Sequence, residues 1–351
     1  MPRRPSPLPT SLPYAVFTAA EARKAGVSVD RLRAKDLRRL GYGIYARADV
    51  DLTEYAVLTA MTRSDPLIVA RGQSAARHWG FPLPWAMQTW VDTPQITPVH
   101  LTAGELVHRD TKLLRWNRQR LRGEEIVAIS DLRLTDRVRT WLDLAQELDL
   151  DDLVKIGDHL VRNPRSWAEG RRDPYATPAE LATAITAYPG PGRPRLRTAL
   201  ELVRVGSDSG AETTLRLAAG RAQLPAPVLN VRQFAGGVDL GEPDLAWPEW
   251  KVCIEHDGPS HLTPEQQQKD IERRERREAH GWIEVQTVAA DLRYGCRRGV
   301  RRMIEALEKH GWRPSAASDT RRTPRRQLST PGSTPIIAPS RARTSGAKVG
   351  E

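Results

Sequence analysis

Cysteine is nearly missing from this chain of 351 residues, which holds only Cys253 and Cys296. Two thiols cannot build a disulfide framework, nor can they alone complete a four-ligand zinc site. Long apolar runs are missing too, since none approaches the ~20 residues needed to span a bilayer. The opening MPRRPSPLPTSLP is basic and proline-rich where a secretory segment would be apolar. Hydrophobic residues make up only 39% of the chain, as expected where polar connections or tails dilute ordinary cores. The expectation is a reduced, soluble, cytoplasmic protein of two or three domains, without membrane attachment.

Acidic charge is in deficit, giving a formal net charge of +11. The excess is uneven. Residues 313–351 carry +6, Arg3 and Arg4 add +2, and residues 13–47 carry +5, which leaves about −2 for residues 48–312. The tail from Arg313 is Pro, Ser, Thr, Arg and Ala with almost no large apolar side chains. Such a segment cannot offset its ordering entropy by burial, so residues 313–351, and likewise 1–12, are expected to be disordered.

Residues 13–50 read as helix, tight turn, helix and strand. Thr18 followed by Glu21 forms a capping-box start, and Gly26 ends the first helix. Ser28 caps a second, VDRLRAKDLRRL, with Val29, Leu32, Leu37 and Leu40 near one stripe and Arg31, Arg33, Lys35, Arg38 and Arg39 largely on the rest. This is a winged helix-turn-helix pattern, and those five basic residues are its candidate DNA contacts. Residues 51–165 read as a mixed α/β region. His78, Asp143 and Asp158 have no metal-ligand spacing there and are assigned to core or surface. Residues 166–206 read as a connection with one helix at most, near 192–204.

From Ser207 to residue 312 the order is α-β-β-β-α-β-α, a sheet covered by helices. Strands VDLGEPDLAW and WKVCIEHDG flank Pro248 and Glu249. If Trp247 pairs with Trp250, Asp244 lies opposite Cys253 and shares a face with Glu255 and Asp257. Asp244 and Glu255 are then diagonal neighbours about 7–8 Å apart, within reach of one ion. Carboxylates on one buried-looking face repel unless a cation or proton intervenes. Oxygen ligands of this kind suit Mg²⁺ or Mn²⁺, which could activate water and stabilise charge on a phosphate oxygen.

Two resemblances follow. Residues Thr18 to Tyr45 resemble the N-terminal winged helix of AbiEi-type antitoxin proteins, and the middle region follows those proteins in outline. Pro243-Asp244, ten residues and Glu255 resemble the PD-(D/E)xK endonuclease superfamily. Glu255, Asp257, Gly258 and His261, with Asp270, Arg273, Gly281 and Trp282 downstream, resemble more closely its Vsr-like domain of unknown function. The resemblance implies a restriction-endonuclease-like mixed sheet flanked by helices, with Asp244 and Glu255 as metal ligands. Glu212 would be an accessory carboxylate, though its helix-start position explains it equally well, and His261 a proton-transfer or water-orienting group. Asp257 stands where the superfamily has lysine; His261, Lys269 or Arg273 are the candidate substitutes. The implied function is a Mg²⁺-dependent DNA endonuclease or nickase, for which concerted double-strand cutting would need a homodimer. The alternative is a DNA-binding regulator of antitoxin type, with a toxin partner and an inactive nuclease-like domain.

Overall fold

The computed structural model describes residues 5–314 apart from 42, 92–96, 105, 107 and 259–263. The N-terminal region comprises strand β1 (Val16–Thr18), helix α1 (Ala19–Lys24), strand β2 (Leu37–Gly41) and strand β3 (Ile44–Arg47), in a sheet of order β1-β3-β2. The capping box forms as expected: Glu21 Oε2 accepts the Thr18 N–H at 2.7 Å and Thr18 Oγ1 accepts the Glu21 N–H at 3.2 Å. The second helix does not form. Residues Arg31–Arg33 make a single 3₁₀ turn, and Leu37–Gly41 pairs with β3 instead. Arg31 accounts for part of the change, because its guanidinium grips Asp36 at 2.9 and 2.6 Å and its Nε reaches the Ser6 carbonyl at 2.6 Å. Val29, expected on the apolar stripe, is 69% exposed, so a helix here would have had little face to bury. Residues 5–12, expected to be disordered, lie along this sheet, with Leu12 buried beside Phe17 and Leu37.

The middle region runs through α2 (Glu54–Ser64), β4 (Val69–Ala70), α3 (Gly72–His78), α4 (Trp85–Gln88), β5 (Val99–Thr102), β6 (Leu114–Asn117), β7 (Ile126–Ile129), β8 (Leu132–Thr135), α5 (Arg137–Asp143) and α6 (Leu150–Val161). Its mixed sheet has the order β6-β5-β4-β8-β7. The expected connection is more structured than its proline-rich sequence implies. It holds α7 (Ser166–Glu169), α8 (Pro178–Ala187) and α9 (Arg193–Leu202). Leu181, Ile185 and Leu196 pack with Trp141, Leu153 and Ile156 in one core, so 178–202 belongs to the middle region. Asp143 and Asp158 are core residues as expected, each gripped by arginine: Asp143 by Arg71 and Arg139, Asp158 by Arg216.

The C-terminal region contains α10 (Gly210–Arg221), β9 (Val228–Leu229), β10 (Gln233–Ala235), β11 (Val238–Gly241), β12 (Leu245–Trp247), β13 (Val252–Asp257), α11 (Pro264–Ala279), β14 (Ile283–Val288) and α12 (Arg293–Lys309). The main sheet has the order β14-β13-β12-β9, and β10-β11 form a separate ribbon. Strands β13 and β14 run parallel because α11 carries the chain back between them. One sheet face (Leu245, Trp247, Val252 and Ile254) packs on Leu215 of α10 and on Met303 and Leu307 of α12. The other face carries Ala246 and Cys253, which pack with Leu240 and Trp282. Asp158 of α6 ties this region to the middle one, accepting from Arg216 Nη2 at 2.6 Å, Thr213 Oγ1 at 2.8 Å and the Arg204 N–H at 2.8 Å. Among the described residues no helix is long and apolar enough to cross a membrane.

Candidate active site

The hairpin that should carry the carboxylates closes through four residues, 248–251, two more than the expected turn. Leu245 pairs with Ile254, Ala246 with Cys253 and Trp247 with Val252. Pro248–Trp250 form a 3₁₀ turn, and Lys251 closes it in the left-handed region at φ 50°. A two-residue slip keeps every side chain on its expected face. Continued by one position, this register sets Asp244 directly across from Glu255, where a diagonal relation was expected.

Asp244 Oδ2 accepts the backbone N–H of His256 at 2.7 Å, and the Asp244 carbonyl accepts that of Asn230 at 3.2 Å. Asn230 then reaches toward α10, its side-chain N–H donating to Glu212 Oε2 at 2.7 Å. The same Glu212 oxygen accepts the Asp208 N–H at 2.8 Å. Glu212 is therefore brought to Asp244 as expected, while also serving the start of its helix, where its own N–H is capped by Ser209 at 3.2 Å. Burial, then the charges of Glu212 and Glu255, push the Asp244 carboxyl up to about 8, against the opposing pull of the His256 N–H and Arg165. Burial also raises Glu212 and Glu255 above the ordinary carboxylate range. Three acids crowd a poorly solvated spot.

Glu255 has a partner the sequence did not reveal. Arg277 of α11 is 1% exposed, and its Nη1 lies 2.6 Å from both Glu255 Oε1 and Glu284 Oε2, while its Nε donates to the Leu240 carbonyl at 2.8 Å. Arg273, a named substitute for the absent lysine, is 3.9 Å from Glu255 and closer to Asp270, at 2.9 Å. Its side chain lies over Gly241, where an added Cβ would fall 2.6 Å from Arg273 Cδ, so glycine lets α11 come this close. Lys269 is exposed. Asp257 is exposed at the end of β13, two residues beyond Glu255. His261 lies outside the described residues. Arg165, the last residue of the stretch read as the mixed α/β region, donates to Asp208 at 2.7 Å and to Asn230 at 3.3 Å, which places a cation beside the acids.

Compared with models of known protein families and with curated proteins, the chain matches none. The resemblances therefore stand on the motif residues quoted above. Among the described residues, no three His, Cys, Asp or Glu side chains are grouped so as to hold a metal ion unaided. Asp244 and Glu255 nevertheless fit Mg²⁺ as a donor set. This ion is usually held by one or two carboxylates, with water and substrate phosphates completing its shell. The third acid, Glu212, has one oxygen committed to Asp208 and Asn230.

The expected DNA contacts are spread over a turn and a strand. Arg31 is mostly covered by its pairing with Asp36, and Arg33 is exposed with Asp30 at 3.2 Å. Lys35 is exposed before β2, and Arg38 and Arg39 are exposed on it. Of the five, Arg33, Lys35, Arg38 and Arg39 stay exposed, but Arg38 and Arg39, as consecutive residues of β2, point to opposite sides of the strand.

Two of the missed site residues had a signal in the sequence. Arg277 follows Asp270 by seven positions and Arg273 by four, which puts all three on one stripe of α11. Asn230 sits between two strands, a position that often turns the chain. Arg165 had none.

Proposed function

We propose that the C-terminal region is a Mg²⁺- or Mn²⁺-dependent DNA endonuclease or nickase, with Asp244 and Glu255 as the residues that hold the ion. One observation carries this reading: the register sets Asp244 across from Glu255, and Asn230 joins Asp244 to Glu212, so that three acids share a buried spot where a cation would keep Asp244 ionised at neutral pH. A divalent ion bound there would supply Lewis acidity, stabilising charge on a phosphate oxygen and lowering the pKa of water. The chain's own residues do the rest. The His256 N–H fixes one Asp244 oxygen and leaves the other available as a donor. Arg277 holds Glu255 in place; its guanidinium stays charged, so it can offset negative charge but cannot act as a base. Lys35, Arg38 and Arg39 give the N-terminal region a surface for duplex phosphates.

A second reading is a DNA-binding regulator of antitoxin type, possessing a nuclease-like scaffold without turnover and acting with a toxin partner. The Glu255–Arg277 ion pair favours it, since a ligand already neutralised by a buried cation has less to offer a metal. Incubating the protein with supercoiled plasmid and Mg²⁺ or Mn²⁺, beside an Asp244→Ala variant, separates the two. Under the first reading the wild type nicks or linearises the plasmid only with metal, and the variant loses at least a hundredfold in rate. If neither cuts, and both retard duplex DNA in a salt-sensitive way, the nuclease reading fails and the regulator stands.

A further inference from the structure

A cavity of about 420 Å³ opens between the middle sheet and the loop joining α8 to α9, remote in sequence from the carboxylate pair. Arg71, only 5% exposed, lines it, with its Nε 3.1 Å from Asp143 Oδ2. Asp143 also accepts from Arg139 Nε at 3.0 Å, and Arg139 Nη1 lies 2.7 Å from Glu125. Behind the cavity, Arg139 Nη2 is buried without a hydrogen-bond partner.

The facing wall is stiff. Gly190 sits so close to Tyr188 that an added Cβ would fall 2.3 Å from the ring, and Gly192, at φ +90°, would bring one within 2.7 Å of Ala145. Tyr188 is 4% exposed, and burial raises its hydroxyl pKa, so it remains a neutral donor. On the rim, Arg118 and Arg120 are exposed, with the amides of Asn117, Gln119 and Gln146 between and opposite them. Three arginines line the cavity against Asp143 and Glu147. Asp143 is shared with a fourth, Arg139, and Glu147 is occupied in part by Gln73 at 2.7 Å. The free charge of the opening is positive.

We propose that this cavity binds a nucleoside phosphate, with the phosphate on Arg118, Arg120 and Arg71 and the nucleoside against the amides and Tyr188. Planar guanidinium forks match phosphate oxygens in pairs. Side-chain amides offer both donors and acceptors, as the edge of a base requires. The volume lies in the range of roughly 300–1,000 Å³ usual for small-molecule sites, and a bare phosphate would leave most of it unfilled. The same chemistry can come from a free nucleotide or from the end of a nucleic-acid strand.

Calorimetric titration of the full chain tests the proposal with adenosine monophosphate, adenosine, inorganic phosphate and a 5′-phosphorylated single-stranded oligonucleotide. The nucleotide should saturate one site, with adenosine and phosphate each at least tenfold weaker. The double variant Arg118→Glu/Arg120→Glu should bind at least tenfold more weakly at an unchanged thermal midpoint, and Gln146→Glu should weaken binding in a smaller step. Asp244→Asn should leave affinity unchanged, which keeps this site separate from the proposed metal site. Tighter binding of the oligonucleotide, with the same sensitivity to these variants, identifies a strand end as the source; tighter binding of the nucleotide identifies the free ligand. No saturable binding of either phosphate ester, or undiminished binding by both variants, overturns the proposal.

Discussion

Two groups of buried charge in this molecule, one in the middle region and one in the C-terminal region, are balanced in opposite ways. In the middle region Asp143 sits between Arg71 at 3.1 Å and Arg139 at 3.0 Å, and Glu125 takes the remaining charge of Arg139. Each buried ion there has a counter-ion at hydrogen-bond distance. In the C-terminal region Glu212, Asp244 and Glu255 stand together, with Arg277 paired to Glu255 and Arg165 reaching only Asp208 and Asn230. A balanced cluster needs nothing further, and taking out one member leaves an uncompensated charge. An acid-rich one is stable only with a proton or a cation added. The same chemical change should therefore have opposite signs at the two places.

The largest effect is expected for Asp143→Asn. It strands Arg71 and Arg139 in a buried site and should destabilise the fold by about 3–5 kcal/mol, read from urea unfolding. A loss below about 1 kcal/mol would mean that the arginines find other partners, and the contrast would collapse.

Asp244→Asn should do the reverse. Burial, then Glu212 and Glu255, push the folded carboxyl up to about 8 from its ordinary 3.8. Above about pH 4 the unfolded chain has released this proton while the folded chain keeps it. Wild-type stability should therefore fall as pH rises from about 4 to about 8 and level off beyond. Asparagine keeps an acceptor for the His256 N–H but cannot ionise. The variant should be more stable than the wild type by roughly 1–3 kcal/mol at pH 8 in the presence of a chelator, with little difference at pH 4. Millimolar Mg²⁺ should narrow that gap by stabilising only the wild type, by about 2.7 kcal/mol at a hundred times its dissociation constant. A variant less stable at both pH values would show that the ionised carboxylate is welcome where it stands.

The smallest effect is expected at the exposed pair Arg33–Asp30. Arg33→Ala should change stability by no more than about 0.5 kcal/mol. If the exposed basic residues of the N-terminal region contact phosphates, Arg33 on its turn among them, the variant should lower the slope of DNA affinity against salt by about 1. An unchanged slope would remove Arg33 from the DNA surface and leave the buried clusters as the only places where a single charge matters.

How much of this was legible in the sequence depended on the range of the interaction. The capping box at Thr18 and Glu21 was readable because it is closed within four residues. The common face of Asp244 and Glu255 was readable because strand alternation has period two, and the turn was misjudged by an even number of residues. The helix expected over Ser28 to Leu40 failed because β3 offered a ladder to Leu37, Arg38 and Arg39 that the local pattern could not display. Arg277 was missed for a similar reason. Its spacing puts it on the stripe of Asp270 and Arg273, but the helix is crowded with charge, and the approach of α11 over Gly241 is what buries this arginine among solvated neighbours. The core role of α8 and α9 was hidden by flanking prolines and glycines that mark their ends and also resemble a linker.

The Asp158 junction has a consequence for how this molecule comes apart. Its two oxygens bind Arg204 on one side and Thr213 and Arg216 on the other, while Leu217 of α10 packs into the core of the middle region. Residue 207 is therefore a boundary in topology but not in cooperativity. Melting of α6 would take from α10 the counter-charge of Arg216 and the apolar cover of Leu217, while Leu215 and Ala219 keep their contacts with the C-terminal sheet, and α10 carries Glu212. One of the three acids near the hairpin therefore rides on a helix anchored partly in another region of the chain, so a fluctuation of α6 loosens the support of Glu212 while Asp244 and Glu255 keep their own partners.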